Sequence, residues 1–424
     1  MKKSIIILCL FVTLYADTDV GGIINSNQTW ILANSPYIVV NDIIVYGGVT
    51  LIIEPGVVVK FNSHTELRIG GTLISKGKID SIITFTNNES SSNWDGIAFI
   101  DSSIPATIDS NFTYIGGSII QYTEIRYACG DRGFRTGPIS CYGASPFIAD
   151  NIITNNKNDG WKGAITISSA GTQSPTEPII LRNNINNNSS NAIALERATA
   201  IIRYNNISSN GGYGVMIDHY ATPNVENNIF YNNQGGIYFN YYTKSNSTFP
   251  IYNNSFSNIE YEFYLENNIS ESGWVLEIGS NWFNTTDSIY ISQKVYDYFN
   301  LISEAKLDYV PFLTEPDQYT PTLNIKSEKS IPNNFQLMQN YPNPFNPITQ
   351  ISYELPQDSK VELTIYNTLG EQVVKLVDEN QAIGRYSINW NGQNSFGEQV
   401  PGGIYFYTLR TKDFTKTRKM LLLR

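Results

Sequence analysis

Short apolar runs alternate with polar turns along most of this chain. Runs such as Val49–Phe61, Glu66–Leu73 and Ile82–Thr86 are rich in β-branched and aromatic residues and are broken by glycine. Runs of this kind, bounded by turn-forming residues, are typical of β-strands. Asparagine and glycine, both poor helix formers, are frequent throughout. The pattern therefore predicts an all-β protein.

The middle of the chain repeats one plan four times. Each copy has a β-prone start, an Asn-Asn pair, a further Asn, a turn and an alternating strand; the copies are Pro178–Arg197, Ala200–His219, Pro223–Tyr241 and Pro250–Asn267. Their strands can be anchored on Ile193, Val215, Ile237 and Phe263, which lie 22, 22 and 26 residues apart. A period of 20 to 30 residues built from short strands indicates a β-solenoid.

Two columns of asparagine follow from this alignment. Nine residues before the anchors lie Asn184, Asn206, Asn228 and Asn254, and five residues before them lie Asn188, Asn210, Asn232 and Asn258. Asparagine tolerates the left-handed backbone of a tight corner, and its amide can hydrogen-bond along a stack of identical neighbours. We therefore expect both columns at the corners of the coil.

The upstream segment resembles the N-terminal turns of right-handed parallel β-helix proteins of the pectate-lyase-like kind. The resemblance lies in Gly48–Phe61, Gly71–Ile74 and the turn Trp94–Ile97, and it ends with Asn281-Trp282-Phe283 and Val310–Leu313. It implies a right-handed parallel β-helix over residues 17–313. At roughly 22 to 25 residues for each rung, this length predicts about twelve rungs.

Charge and the N-terminus point to export. Charged residues make up only 16% of the chain and the net charge is −10, which speaks against nucleic acid as a partner. Lys2 and Lys3 precede an apolar run from Ile5 to Leu14, and Ala16 offers a small residue for cleavage. These are the features of a signal peptide read by the Sec machinery, with cleavage after Ala16. The rest of the sequence contains no segment long enough to be a transmembrane anchor.

The composition changes after Leu313. Residues 314–333 contain Pro316, Pro321 and Pro332 among polar residues, which predicts a linker. Residues 334–424 hold short alternating strands with glycine-rich turns every eight to twelve residues, a pattern typical of a small Ig-like antiparallel β-sandwich.

This C-terminal segment resembles the sorting domain of the type IX secretion system. The resemblance rests on the run Asn340–Thr349, on the turn and strand Pro401–Tyr405, and on the terminal Lys419–Arg424. The residues carried over as the sorting signal are Pro401, Gly403, Tyr405, Lys419, Met420 and Arg424. The resemblance implies passage through the periplasm and the type IX apparatus to the outer cell surface or the medium. The alternative is an Ig-like domain such as that of the flagellar hook-capping protein, without a sorting role.

The repeat also predicts where acidic side chains stand on the outside of the coil. Glu196 and Asp218 share one outward column with Ser168, Asn240 and Glu266. If the register holds, Glu196 and Asp218 lie on adjacent rungs about 5 Å apart, and so close a pair should raise the pKa of one carboxyl. We call Glu196, Asp218 and Glu266 the acid ladder.

Three interpretations of this face stay open. Glu196 and Asp218, assisted by Arg197 or His219, could serve a polysaccharide lyase or glycoside hydrolase, with Tyr238 and Tyr264 stacking on sugar rings. Alternatively, Glu196, Asp218 and Asn240 could hold Ca²⁺ as hard oxygen ligands. The third interpretation is a solvated polar face without chemistry.

The sequence departs from the enzymes of this architecture. It lacks the Asp-rich signatures of polygalacturonases and the Asp-Pro-His signature of alginate epimerases, to which Asp218-His219 is the nearest approach. We therefore expect an exported structural or carbohydrate-contacting module that meets extracellular polysaccharide, with an enzyme as the alternative. In an exported protein Cys129 and Cys141 could form a disulfide, or they could be two buried small side chains.

Overall fold

The computed structural model describes residues 17–88, 93–132, 135–157, 162–169, 176–240, 248–266, 275–297, 306–321, 335–340, 343–381 and 384–423. The predicted signal peptide, Tyr241 and Arg424 lie outside the described residues. The chain divides into two compact units, Met1–Leu323 and Asn324–Arg424.

The first unit is a parallel β-helix whose wall consists of three rows of strands. Rows one and two belong to a 19-stranded sheet, and row three is a nine-stranded sheet. Thr18–Ile24 and Tyr37–Val45 run through both of the first two rows. The other strands of row one are Val58–Phe61, Ile83–Asn87, Thr123–Arg126, Ile152–Thr154, Asn184–Asn186, Asn206–Ser208, Ile229–Tyr231 and Ser255–Ser257.

Rows two and three complete each turn of the coil. Row two contains Glu66–Ile69, Gly96–Phe99, Ile139–Tyr142, Gly163–Ser168, Asn191–Glu196, Tyr213–Asp218, Gly235–Phe239, Phe263–Leu265 and Val295–Tyr296. Row three contains Gln28–Trp30, Thr50–Ile53, Thr72–Lys76, Ile119–Gln121, Phe147–Ala149, Ile179–Leu181, Ile201–Arg203, Asn224–Glu226 and Ile251–Tyr252.

Smaller elements lie outside these rows. Thr107–Ile108 pairs with Tyr114–Gly116, and Asp131–Arg132 pairs with Arg135–Thr136. A three-stranded sheet contains Thr248–Phe249, Val275–Ile278 and Lys306–Asp308, and the helical segments are a 3-10 turn at Leu32–Asn34 and an α-helix at Ser288–Gln293. No helix among the described residues is both long and apolar enough to cross a membrane.

The nine strands of row three enclose about eight full turns, fewer than the twelve rungs predicted. The prediction assumed a constant period, but the spacing between stacked strands varies. Ile74 is aligned with Ile119, and Ile148 with Ile180, so 45 and 32 residues separate these neighbours. Insertions such as the hairpin of Thr107–Ile108 with Tyr114–Gly116 use residues without adding a turn.

The interior of the coil is apolar along its whole length. One continuous cluster of buried side chains runs from Ile24 to Leu307, and within it the ring of Trp94 stacks on those of Phe61 and Phe85. Because inward and outward residues alternate in each strand, this cluster fixes which side chains of every strand face outward.

Buried asparagines line two corners of the coil. The first column is Asn151, Asn183, Asn205, Asn228, Asn254 and Asn281, and the second is Asn156, Asn188, Asn210, Asn233 and Asn258. In both columns each side-chain amide except the last donates to the side-chain oxygen of the asparagine one turn further on. We call these the asparagine ladders.

The ladders correct the predicted columns by one residue at three places. Asn183 and Asn205, rather than Asn184 and Asn206, belong to the first ladder, and Asn233 replaces Asn232 in the second. Asn184 and Asn206 instead pair with each other in row one. The loop before Gly235 is one residue shorter than its counterparts, so counting back from the row-two anchors shifts the register.

The left-handed backbone predicted for the ladder residues belongs to the residue before them. Asp150, Arg182, Tyr204, Asn227 and Asn253 precede the first ladder and have φ values between 52° and 58°. At each of these corners the first of two consecutive residues adopts the left-handed backbone, and the second, the ladder asparagine, makes the hydrogen bonds. This division accounts for Asn-Asn pairs such as Asn227-Asn228.

The second unit consists of two antiparallel sheets over one apolar core. The three-stranded sheet contains Gln336–Leu337, Thr349–Leu355 and Gly384–Trp390, and the four-stranded sheet contains Gln372–Gln381, Ser359–Tyr366, Gly403–Arg410 and Thr415–Leu422. Ile351, Leu363 and Trp390, which come from both sheets, lie in the same buried cluster. The two sheets therefore pack as a sandwich.

The first part of the segment predicted as a linker lies against the β-helix. Asp317 accepts a hydrogen bond from Asn227 Nδ2 at 2.7 Å, and Thr320 Oγ1 donates to the carbonyl of Asn253 at 2.6 Å. Residues 314–321 therefore extend the first unit, while 322–333 lie outside the described residues.

Candidate functional site

The acid ladder stands at the carboxyl ends of row-two strands. Glu196 is aligned with Asp218 on the next turn and with Ser168 on the preceding one. Inward-facing Leu195 and Ile217 hold this register, since both are buried in the core. Asn240 follows its strand and donates its backbone N–H to the carbonyl of Ile217.

Each carboxylate of the acid ladder has a partner from its own rung or the adjacent one. Glu196 Oε1 lies 3.8 Å from Arg197 Nη1, and Asp218 Oδ1 lies 2.7 Å from His219 Nδ1. Glu266 Oε2 accepts a hydrogen bond from the hydroxyl of Tyr238. The carboxylates are aligned, but their contacts run to these partners rather than toward a common point.

Burial raises the pKa of the Asp218 carboxyl above its ordinary value. His219 acts in the opposite direction through its charge and hydrogen bond, and the nearby charge of Glu196 adds a smaller upward contribution to the pKa of Asp218. The predicted direction is therefore met at Asp218, but desolvation is the main cause rather than the like-charge pair.

The tyrosines of this face pack on each other. Tyr238 is only 6% exposed, and its ring stacks at 4.8 Å on Tyr213 and lies 5.4 Å from Tyr264. Tyr264 in turn stacks on Tyr296 at 4.7 Å. Burial and the hydrogen bond to Glu266 raise the pKa of Tyr238. These contacts contradict the prediction that Tyr238 offers a sugar-binding ring, whereas Tyr264 stays half-buried.

A Ca²⁺ site at this face stays a prediction. Asn240 is buried, and across the described ranges no group of three or more His, Cys, Asp or Glu side chains is arranged to hold a metal ion. Glu196 and Asp218 would be two carboxylate ligands with an amide, fewer than the six to eight oxygens that Ca²⁺ usually takes.

Cys129 and Cys141, both within the described residues, are not joined by a disulfide. Cys141 lies on an inward position of row two between Phe99 and Ile167 and is fully buried, which raises the pKa of its thiol. Cys129 is half-buried and donates its backbone N–H to the carbonyl of Trp94.

The residues of the predicted sorting signal help to build the second unit. Tyr405 is aligned with Met420, and both are buried; the hydroxyl of Tyr405 donates to the carbonyl of Pro401 at 2.7 Å. Gly403 adopts φ 153°, and Lys419 is exposed on the terminal strand.

Two cavities have volumes of about 490 Å³ each, and Glu196, Asp218 and Glu266 line neither of them. One is lined by Glu260, Tyr261, Tyr290, Gln293 and Lys294. The other lies between the last strands of row one and residues 316–321 and includes Trp282. From the sequence Trp282 stands out only as part of a terminal rung, because the segment that it faces lies more than thirty residues away.

Two family models match this chain. Residues 138–300 match the model of the right-handed β-helix region, and residues 347–413 match the FlgD Ig-like domain. The chain joins a right-handed β-helix to an FlgD-like Ig domain. A search of curated proteins gives no match.

Several solved structures give partial matches to this chain. FlgD from P. aeruginosa is 29% identical over 18% of this chain and 57% of its own, with a TM-score of 0.15. PorZ, a surface component of the type IX secretion system of Porphyromonas gingivalis, is 17% identical over 24% of this chain and 13% of its own, with a TM-score of 0.17. The A-module of mannuronan C-5 epimerase AlgE4 from Azotobacter vinelandii is 11% identical over 63% of this chain and 86% of its own, with a TM-score of 0.26. Scores this low do not bear on function.

Proposed function

We propose that this protein is an exported β-helix that contacts extracellular polysaccharide without cleaving it. The observation that carries this proposal is the state of the acid ladder. Each of its carboxylates lies against a partner on its own or the adjacent rung, and the tyrosines beside it pack on each other. Acid–base catalysis needs groups that converge on one reacting atom, and these do not.

A polysaccharide lyase or glycoside hydrolase is the second candidate. Asp218 and His219 form a close pair, and burial raises the pKa of Asp218, which is a property of many catalytic acids. Incubation of the full chain with a glycan panel, with and without Ca²⁺, separates the two candidates. Binding without product supports the first candidate, and product release that Glu196→Gln abolishes supports the second.

We further propose that residues 334–424 are the sorting domain that takes the protein through the type IX apparatus after Sec export. Support comes from how the three motif segments of the resemblance are assembled. Phe345 donates its N–H to Leu421 at 3.0 Å and accepts the N–H of Leu423 at 2.8 Å, while Tyr405 pairs with Met420 on the other side of the terminal strand. The terminal strand is thus bound on both edges.

The sorting role can be tested with point variants that spare the core. Lys419 is exposed on the terminal strand, and Lys412 is exposed in the preceding hairpin turn. In a bacterium with a type IX apparatus, we expect Lys419→Glu to accumulate in the periplasm and Lys412→Glu to reach the surface. Surface display of both variants, and of a chain lacking the last six residues, would contradict the assignment.

A further inference from the structure

A cavity of about 490 Å³ lies on the outside of the β-helix near its C-terminal end. Its floor consists of outward side chains from the last turns of row one. Ile229, Ser255 and Trp282 are successive members of one column, and Tyr231 and Ser257 belong to the next column. Its roof is the segment Pro316–Pro321, which we call the strap.

Hydrogen bonds fix the strap on both sides of its turn. Asp317 Oδ1 accepts from the buried Asn227 Nδ2 at 2.7 Å and from the backbone N–H of Tyr319 at 2.9 Å. Thr320 is buried, and its hydroxyl donates to the carbonyl of Asn253 at 2.6 Å. The strap therefore belongs to the folded β-helix, and the space beneath it is a defined cavity.

The lining combines aromatic surface with a few polar groups. Trp282 and Tyr231 are half-buried and line the floor. Ser255 Oγ is buried in the same floor and has no hydrogen-bond partner among the described residues. A buried hydroxyl without a partner costs free energy unless a ligand or water satisfies it.

We propose that the cavity beneath the strap binds a neutral sugar residue of an extracellular glycan. A pyranose presents C–H groups on its faces, which pack on an aromatic ring, and hydroxyls at its edge, which need hydrogen-bond partners. Trp282 and Tyr231 supply the first kind of surface, and Ser255 with the strap residues Asp317 and Gln318 supplies the second. The inference rests on the proposed function and locates its binding site.

The charge of the lining selects against acidic glycans. Among the described residues that line the cavity, Asp317 is the one with a charged side chain, and no basic side chain accompanies it. The whole chain carries a net charge of −10. A uronate carboxylate in this cavity would meet a like charge in a partly desolvated space, which is unfavourable. The site therefore favours neutral sugars over uronic acids.

Calorimetric titration of the full chain tests this site. The probes are cellohexaose, xylohexaose and mannohexaose as neutral glycans, and hexamers of mannuronate and galacturonate as acidic ones. We expect at least one neutral hexamer to bind and neither acidic one. Trp282→Ala should weaken binding at least tenfold, because a central aromatic anchor contributes this much or more, and Ser255→Ala should weaken it about threefold.

Tyr319→Ala is the matched control, because Tyr319 lies on the strap, is 67% exposed and does not line the cavity. This variant should bind as the wild type does. Thermal melting checks folding, and Gln318→Ala replaces Trp282→Ala as the test if the latter unfolds. Unchanged neutral-glycan binding in Trp282→Ala and Ser255→Ala would overturn the site and leave the proposed function standing. Preference for a uronate hexamer would overturn the ligand class, and absence of binding to every glycan would overturn both site and function.

Discussion

The β-helix stacks polar side chains in two ways, and the two behave differently. The asparagine ladders are buried at the corners, and each member is bonded to the next along the axis of the coil; Asn205, for example, donates to Asn228 Oδ1 at 2.9 Å and accepts from Asn183 Nδ2 at 3.0 Å. The acid ladder has the same rung-to-rung alignment on the outward face. Its carboxylates instead lie beside an arginine and a histidine, and one accepts a hydrogen bond from a tyrosine.

The difference follows from donors and acceptors. A side-chain amide both donates and accepts, so each asparagine can accept a hydrogen bond from one neighbour and donate one to the next, and the ladder can continue for any number of turns. An ionised carboxylate only accepts, so stacked carboxylates need donors from other side chains. The second asparagine ladder shows the same rule at its end, where Glu262 accepts from both the N–H and the Nδ2 of Asn258. An acceptor-only group can terminate such a ladder but cannot extend it.

The largest expected effect is the loss of one ladder asparagine. Asn233 is fully buried, and its amide joins Asn210, Asn258 and the carbonyl of Ile207. Asn233→Ala should lower the free energy of unfolding of the β-helix by about 3–5 kcal/mol, because several buried polar groups lose partners together. Urea unfolding followed by circular dichroism measures this change.

Asn232 provides the matched control. It is the preceding residue, it is exposed, and its φ is 54°. Asn232→Ala should cost about 1 kcal/mol, the penalty of a non-glycine left-handed residue without a helpful side chain. If both alanine variants lose the same free energy of unfolding, the hydrogen bonds of the ladder are not what stabilises the corner.

The end of the ladder should respond to the terminal acceptor. Glu262→Gln places an amide group opposite the donors of Asn258, so we expect a loss of about 1–3 kcal/mol. Burial raises the pKa of Glu262 above its ordinary value of 4.5, against the hydrogen bonds of Asn258 and the charge of Lys294. Because the folded state favours the protonated acid, wild-type stability should fall as pH rises from about 4.5 through the raised pKa.

The free energy of unfolding of Glu262→Gln should not fall in this way. The difference in stability between the wild type and this variant should therefore shrink as the pH rises. Unfolding of both proteins between pH 4 and 8 gives the comparison. If the difference in stability instead grows with pH, the folded state favours the ionised carboxylate. That result would contradict the upward pKa shift of Glu262.

A smaller effect is expected in the acid ladder. Burial raises the pKa of Asp218 above 3.8, so the folded state favours the protonated carboxyl. The free energy of unfolding should therefore fall as the pH rises from about 3.8 through the raised pKa. Asp218→Asn should remove this pH dependence and change stability at neutral pH by less than about 1 kcal/mol, since it loses the bond to His219 but no longer buries a charge. Thermal melting from pH 3 to 7 measures it, and an unaltered pH profile would count against the assignment.

Much of the architecture could be predicted from sequence because the repeat is regular. The strands, the parallel stacking and the presence of asparagine columns follow from positions such as Ile193 and Val215. The one-residue slip at Asn233 could not be predicted, because loop lengths vary from turn to turn. The contacts of Asp218 and Tyr238 depend on side-chain directions, and the cavity at Trp282 depends on how residues 316–321 return to the coil.

The central proposal is that the protein contacts polysaccharide without cleaving it at the acid ladder. The most direct test incubates the full chain with the neutral and acidic hexasaccharides, with and without Ca²⁺, and measures new reducing ends and unsaturated products. We expect no product from the wild type, and none from Glu196→Gln. Product formed by the wild type and abolished by Glu196→Gln would contradict the claim.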